Sequence, residues 1–122
     1  MRILIAGHLL FEGQDCAAII EGGRALIEAS RAEKGCIAYN WSVDPLAPGT
    51  IHVFEEWESE ADLGAHFKDP SYLSMRTHLE RSTLTGFDVS IYSANGKEPV
   101  YTAEGQPRDS IFGVSITANA SE

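Results

Sequence analysis

Apolar side chains are dense over residues 2–11, rich in β-branched and aliphatic types, and these positions predict a first strand. Glu12-Gly-Gln-Asp15 reads as a turn with Asp15 as N-cap. Positions 16, 19, 20, 23, 26, 27 and 30 then keep helical spacing and predict one helix to about Arg31. Gly22 and Gly23 inside it each cost about 1 kcal/mol relative to Ala, which points to a close approach of the helix backbone to a sheet. Gly35 is expected as the residue that ends the helix. Strands follow over 36–43 and 50–58, joined by the turn-rich Asp44–Gly49 loop into a hairpin.

Ser59 and Asp62 fit a capping box for a helix reaching about Lys68. Asp69-Pro70 interrupts it, because proline disfavours a helical conformation in the residue before it. A second helical piece is expected from Ser71 to about Arg81, with Leu73, Met75 or Arg76, and Leu79 inward. Residues 84–94 alternate cleanly and close the order as βαββαβ, an α+β ferredoxin-like pattern. Tyr39 and Trp41 alternate with Ala38 and Asn40, and Val53 and Trp57 with Phe54, so both sheet faces carry apolar groups. Helices cover one face; a partner subunit's sheet is the simplest cover for the other, so a homodimer is expected.

The ferredoxin-like domain is expected over 1–95. Residues 96–122 are rich in Gly, Pro, Ser, Glu and Asn around one apolar island, Ile111–Ile116. This extension reads either as a partly flexible tail or as an edge strand over 110–117, added to its own sheet or a partner's.

Charge narrows the partners. Eighteen acidic residues against nine basic ones give a net charge of −9 in 122 residues. Nucleic acid and anionic membrane surfaces are therefore not expected partners. No apolar run approaches the ~20 residues of a membrane span, and the opening segment lacks a small-residue cleavage site, so a cytoplasmic protein is expected. Cys16 and Cys36 fall in different elements and imply no disulfide. His8, His52, His66 and His78 lie on four separate elements, so no metal site is expected. No glycine-rich dinucleotide or phosphate-cradling motif occurs, and no cofactor is expected.

Three motifs carry most of the information in the chain: Glu33-Lys-Gly-Cys-Ile-Ala-Tyr39, Glu55-Glu-Trp-Glu-Ser-Glu60 and Ala65-His-Phe-Lys-Asp-Pro70. Together they resemble the antibiotic biosynthesis monooxygenase family, small ferredoxin-like chains that pair as dimeric α+β barrels. The resemblance implies that Glu55 and Trp57 face the helices and an internal cavity. Each has a plainer reading, Trp57 as core packing and Glu55 as a structural carboxylate. His66 matches the family's Ala-His position and suits a general base, since histidine titrates near neutrality; a helix-end interaction with the dipole is the plainer role.

In family members that oxidise aromatic polyketides without a cofactor, a strand Asn, a strand Trp, a helix Tyr and a helix Arg line the pocket. Trp57 and Arg76 match the Trp and Arg. The Asn and Tyr positions fall on Val53 and Leu63, leaving Tyr72 and Asn40 as candidate substitutes. Gly7, His66 and Arg76 hold the places of the haem-degrading branch's key residues, so haem degradation is not expected. The resemblance thus implies a cofactor-independent monooxygenase acting with O2 on an electron-rich aromatic such as a quinol or polyketide phenol. His66 and Arg76 are its expected catalytic residues; Trp57, Tyr72, Glu55 and Asn40 are expected to bind substrate. A non-catalytic small-molecule-binding or stress-response module, and an isomerase or lyase on the same scaffold, are the alternatives.

Overall fold

A computed structural model describes residues 1–116. Its elements are β1 (Arg2–Phe11), α1 (Cys16–Gly22), α2 (Arg24–Arg31), β2 (Cys36–Val43), β3 (Thr50–Trp57), α3 (Glu60–Lys68), α4 (Pro70–Glu80), β4 (Leu84–Ala94), β5 (Ser110–Ile111) and β6 (Val114–Ser115). The first four strands form an antiparallel sheet in the order β2-β3-β1-β4. This is the ferredoxin-like α+β arrangement that the hydrophobic pattern predicts.

Strand register decides which side chains meet. Tyr39 pairs with Glu55, Glu55 with Ile5, and Ile5 with Ile91, so these four cross the sheet on its helix-covered face. Asn40, Phe54, Ala6 and Ser90 cross it on the outer face. The core lies under the helices in two clusters. One gathers Leu9, Phe11, Ile51, Val53, Met75 and Leu79; the other gathers Ile3, Ile5, Tyr39, Trp57 and Leu63.

Local chemistry sets the boundaries and revises several expectations. The helix expected over 16–31 is broken at Gly23, which caps α1 and starts α2. Gly22 and Gly23 do permit a close approach, but to a helix rather than the sheet. A Cβ on Gly22 would stand 2.9 Å from the His78 ring, and one on Gly23 would stand 3.0 Å from the Met75 methyl, both on α4. Ala32, not Gly35, caps α2. Gly35 instead turns the chain into β2 at φ 81°, pressed against the Asp62 carboxylate.

Ser59 caps α3, accepting from the Asp62 N–H at 3.1 Å. The Asp62 carboxylate accepts from the Ser59 hydroxyl instead of reaching a backbone N–H, so half of the expected capping box forms. Asp69 ends α3 in extended conformation and caps α4, with Pro70 in the first turn, where its missing N–H costs nothing. On α4, Met75 and Leu79 turn inward while Leu73 is exposed.

The apolar island does not extend the four-stranded sheet of its own chain. Phe112 and Gly113 both take positive φ, which folds β5 back onto β6 as a separate two-residue hairpin. Residue 117 of the expected strand lies outside the described residues.

Gly35→Ala is expected to cost about 1–3 kcal/mol, because it combines left-handed strain with a clash. A thermal melt of the variant checks this; an unchanged midpoint would mean that the turn can relax.

Candidate functional site

A cavity of about 420 Å³ opens between the helix-covered face of the sheet, α4 and β4. Its walls are mainly apolar and aromatic, with Ile5, Tyr39, Trp41, Val53, Phe67 and Tyr72 among them. Glu55, Arg76 and Glu80 supply its charge. Strand alternation places Tyr39, Trp41, Val53 and Glu55 on this wall, and helical spacing turns Tyr72, Arg76 and Leu79 of α4 toward it. The β4 side is open: Phe87 is 72% exposed and Ile91 58%.

Glu55 is the buried charge of this wall, only 6% exposed. Its Oε1 accepts the Trp57 indole N–H at 3.0 Å. Burial raises its pKa above the usual carboxylate range, against the Trp57 hydrogen bond and the His66 charge, which pull it down; the Glu33 charge adds to the rise. Tyr39 sits beside it, its phenol pushed up to about 12 by burial and then by the Glu55 charge, with nearby Trp41 and Ser30 opposing. The buried Trp41 indole N–H comes close to Tyr39 yet has no partner in hydrogen-bonding geometry among the described residues. The nitrogen is itself enclosed by protein.

His66 lies behind this wall, 1% exposed. Its ring packs on Trp57 with centroids 4.6 Å apart, and edge-to-face on Tyr39 and Tyr72 at 5.7 and 5.3 Å. Nδ1 is hydrogen-bonded to Glu33 at 3.0 Å, and Nε2 lies 4.0 Å from Glu55 Oε1. His66 therefore reaches the cavity through Glu55 rather than directly.

The structure thus brings together Glu55, Tyr72 and Arg76 on the wall, and Trp57 and His66 directly behind Glu55. Trp57 is wholly buried, in its core-packing role, and also orients Glu55. Arg76 stands at the rim with its Nη2 3.6 Å from Glu80, and both are largely exposed. Asn40 does not join them. It lies on the outer face beside Phe54, where Arg31 Nη2 donates to it at 3.4 Å. Alternation with Tyr39 and Trp41 dictates this once β3 fixes the register.

Sequence reasoning missed Glu33, Tyr39 and Trp41 as site residues. Tyr39 and Trp41 carried a signal, since they share a strand face with each other and not with Asn40. Glu33 carried none, because its loop position is fixed only by packing against α3 and α4. Among the described residues, no group of three or more His, Cys, Asp or Glu side chains is arranged to hold a metal ion. No described helix is long and apolar enough to cross a membrane.

Fold and site together define a ferredoxin-like α+β domain with a small aromatic-lined cavity. Residues 12–77, more than half of the chain, match the antibiotic biosynthesis monooxygenase family, and the chain belongs to it. An uncharacterised protein of Synechocystis sp. is 31% identical over 70 residues, covering 57% of this chain and 48% of that protein. The chain thus spans about half the length of that relative. Among solved structures, a candidate antibiotic biosynthesis monooxygenase from Deinococcus radiodurans superposes with a TM-score of 0.73 at 21% identity, covering 82% of this chain and 99% of that one. Another from Nitrosomonas europaea gives 0.69 at 18%, covering 77% and 90%. At such identities the superpositions establish the fold.

Because burial raises the Glu55 pKa, the folded state holds its proton more tightly than the unfolded chain does. Stability from this group is full below the ordinary carboxylate range and declines as pH rises through the raised value. Glu55→Gln, which still accepts from Trp57, should therefore melt higher than wild type at neutral pH. The difference should vanish in acid. Thermal melts across pH check both halves.

Proposed function

We propose that this protein is a cofactor-independent monooxygenase oxidising an electron-rich aromatic, such as a quinol or polyketide phenol, with O2. The observation that carries the reading is Glu55, a buried carboxylate of raised pKa on the wall of an aromatic cavity, with the Arg76 cation at its rim. Family membership supports an oxygenase, and the aromatic lining supports a flat aromatic substrate.

Glu55 takes the base role in place of His66, because Glu55 faces the cavity and His66 does not. It removes the phenolic proton, and a raised pKa makes it a stronger acceptor. The phenolate oxygen is held by Arg76. The electron-rich ring carbon adds O2, giving a hydroperoxide. Loss of the C–H proton at that carbon with O–O cleavage leaves the quinone, so one oxygen atom enters product and the other departs as water. The protein contributes positioning and a dry site, and the substrate supplies the electrons.

A homodimer belongs to the same reading. Phe54 and Tyr92 on the outer face and Phe87 and Ile91 on β4 are each more than 40% exposed, more apolar surface than a lone domain usually leaves in patches. Sedimentation at micromolar concentration should show a dimer; a stable folded monomer would remove this part.

Oxygen uptake with a panel of hydroquinones tests the chemistry. Arg76→Ala should lower turnover by about a hundredfold, as loss of one oxyanion donor does. As a surface arginine, its loss should shift folding by under ~0.5 kcal/mol. Glu55→Gln should lose turnover while still binding the hydroquinone. Full activity in both variants would place the chemistry elsewhere; binding without oxygen uptake in wild type would make the protein a binding module.

A further inference from the structure

The cavity carboxylate is one end of a longer row of polar groups buried in an apolar layer. The other end is Glu33, in the turn between α2 and β2, whose side chain retains 15% of its exposure. His66 bridges the two with its nitrogens aimed oppositely: Nδ1 at Glu33, 3.0 and 3.2 Å from its two oxygens, and Nε2 toward Glu55. The ring is clamped by Trp57, Tyr39 and Tyr72, so it cannot turn away from either. Ser71 donates to Glu33 Oε2 at 3.2 Å and fixes the outer carboxylate in turn.

A histidine needed only for packing would not require two carboxylates along its nitrogen axis. Burying those charges is costly unless they share protons. We propose that Glu55, His66 and Glu33 form a proton path through the back wall of the cavity, linking the cavity carboxylate to solvent while a ligand fills the front.

In one passage, the Glu55 O–H bond breaks as His66 Nε2 takes the proton. Nδ1 releases its own proton to Glu33, which passes it to water. One proton crosses, no electrons move, and Glu55 is left as carboxylate. The 4.0 Å gap between Nε2 and Oε1 must close by about 1 Å, a tightening common when a catalytic site engages its ligand.

The other charged or titratable groups around the path are few. Tyr39 and Cys36 on β2 face Glu55, Arg76 on α4 shares its cavity, and Asp69 at the start of α4 feels the His66 charge. Tyr39 and Cys36 both have raised pKa values and stay protonated at neutral pH, so neither competes as a relay.

The inference rests on the reading of Glu55 as a proton-handling group, but its test needs no substrate. With the cavity filled by saturating anisole, an aromatic that closes the front but has no phenolic proton to give, Glu55 protonation is followed by its infrared carboxyl band, identified by its loss in Glu55→Gln. After a pH jump, the Glu55 band should respond at least about tenfold more slowly in Glu33→Gln than in wild type, the scale expected when a proton-transfer group is lost. The side-chain amide introduced by Glu33→Gln still accepts from Nδ1–H, so a purely structural role would leave that rate unchanged. Glu33→Asp retains a transferable proton and should stay within about fivefold of wild type. Equal rates in wild type and Glu33→Gln would overturn the path. Oxygen uptake with hydroquinone is measured alongside; its absence, with the slowing in Glu33→Gln intact, would remove the monooxygenase reading and leave the path standing.

Discussion

The structure turns on one constraint: a carboxylate is held inside an otherwise apolar layer, and everything around it must make that tolerable. Glu55 accepts from Trp57 at 3.0 Å and faces the His66 ring across 4.0 Å. Those two aromatic rings pack against each other, tilted by 33°, and both are buried beside the carboxylate. A buried charge without such partners would neutralise or unfold the site. With them, it persists as a buried group of raised pKa beside a cavity, a juxtaposition common where proteins do chemistry.

The same constraint ties the secondary structure together. Glu33 comes from the turn after α2, His66 from α3, Ser71 from the first turn of α4, and Glu55 and Trp57 from β3. Gly35 permits the turn that brings Glu33 inward, and the Asp69-Pro70 break lets α4 start at an angle that delivers Ser71 to the same carboxylate. Changes at these backbone positions should therefore be felt in the site. A network of this kind ranks high in consequence because its members are buried or nearly so and each leaves another unsatisfied when removed.

The fold was largely legible because its signals are local. Strand alternation, the Ser59 cap and the Asp69-Pro70 break are properties of a few adjacent residues, and each produced its element. The failures were of longer range. The break at Gly23 and the outward turn of Leu73 depend on how α1, α2 and α4 pack, where Gly22 and Gly23 admit His78 and Met75. Glu55, Trp57, Tyr72 and Arg76 could be singled out from motif and resemblance, but their arrangement could not. Assigning Asn40 to the site required ignoring its alternation with Tyr39, a relation that becomes decisive only when β3 supplies the register. Glu33 stood in view in its motif, yet nothing in its neighbours shows that its carboxylate meets a histidine 33 residues away.

The open side of the cavity gives the last step. The helices cover β2, β3 and β1, whereas β4 lies at the edge of the sheet with Phe87 and Ile91 bare. An oxidation that proceeds through a phenolate needs water kept from the ring, and a wall left open on β4 would admit it. A ligand lying against Phe87 and Ile91 would bury those side chains and shield Glu55 in one movement. Closing the front in this way would also cut Glu55 off from solvent on that side. An apolar edge open enough to admit an aromatic ring would thus make an exit for protons through the back wall useful, and the row from Glu55 to Glu33 lies on that side of the carboxylate.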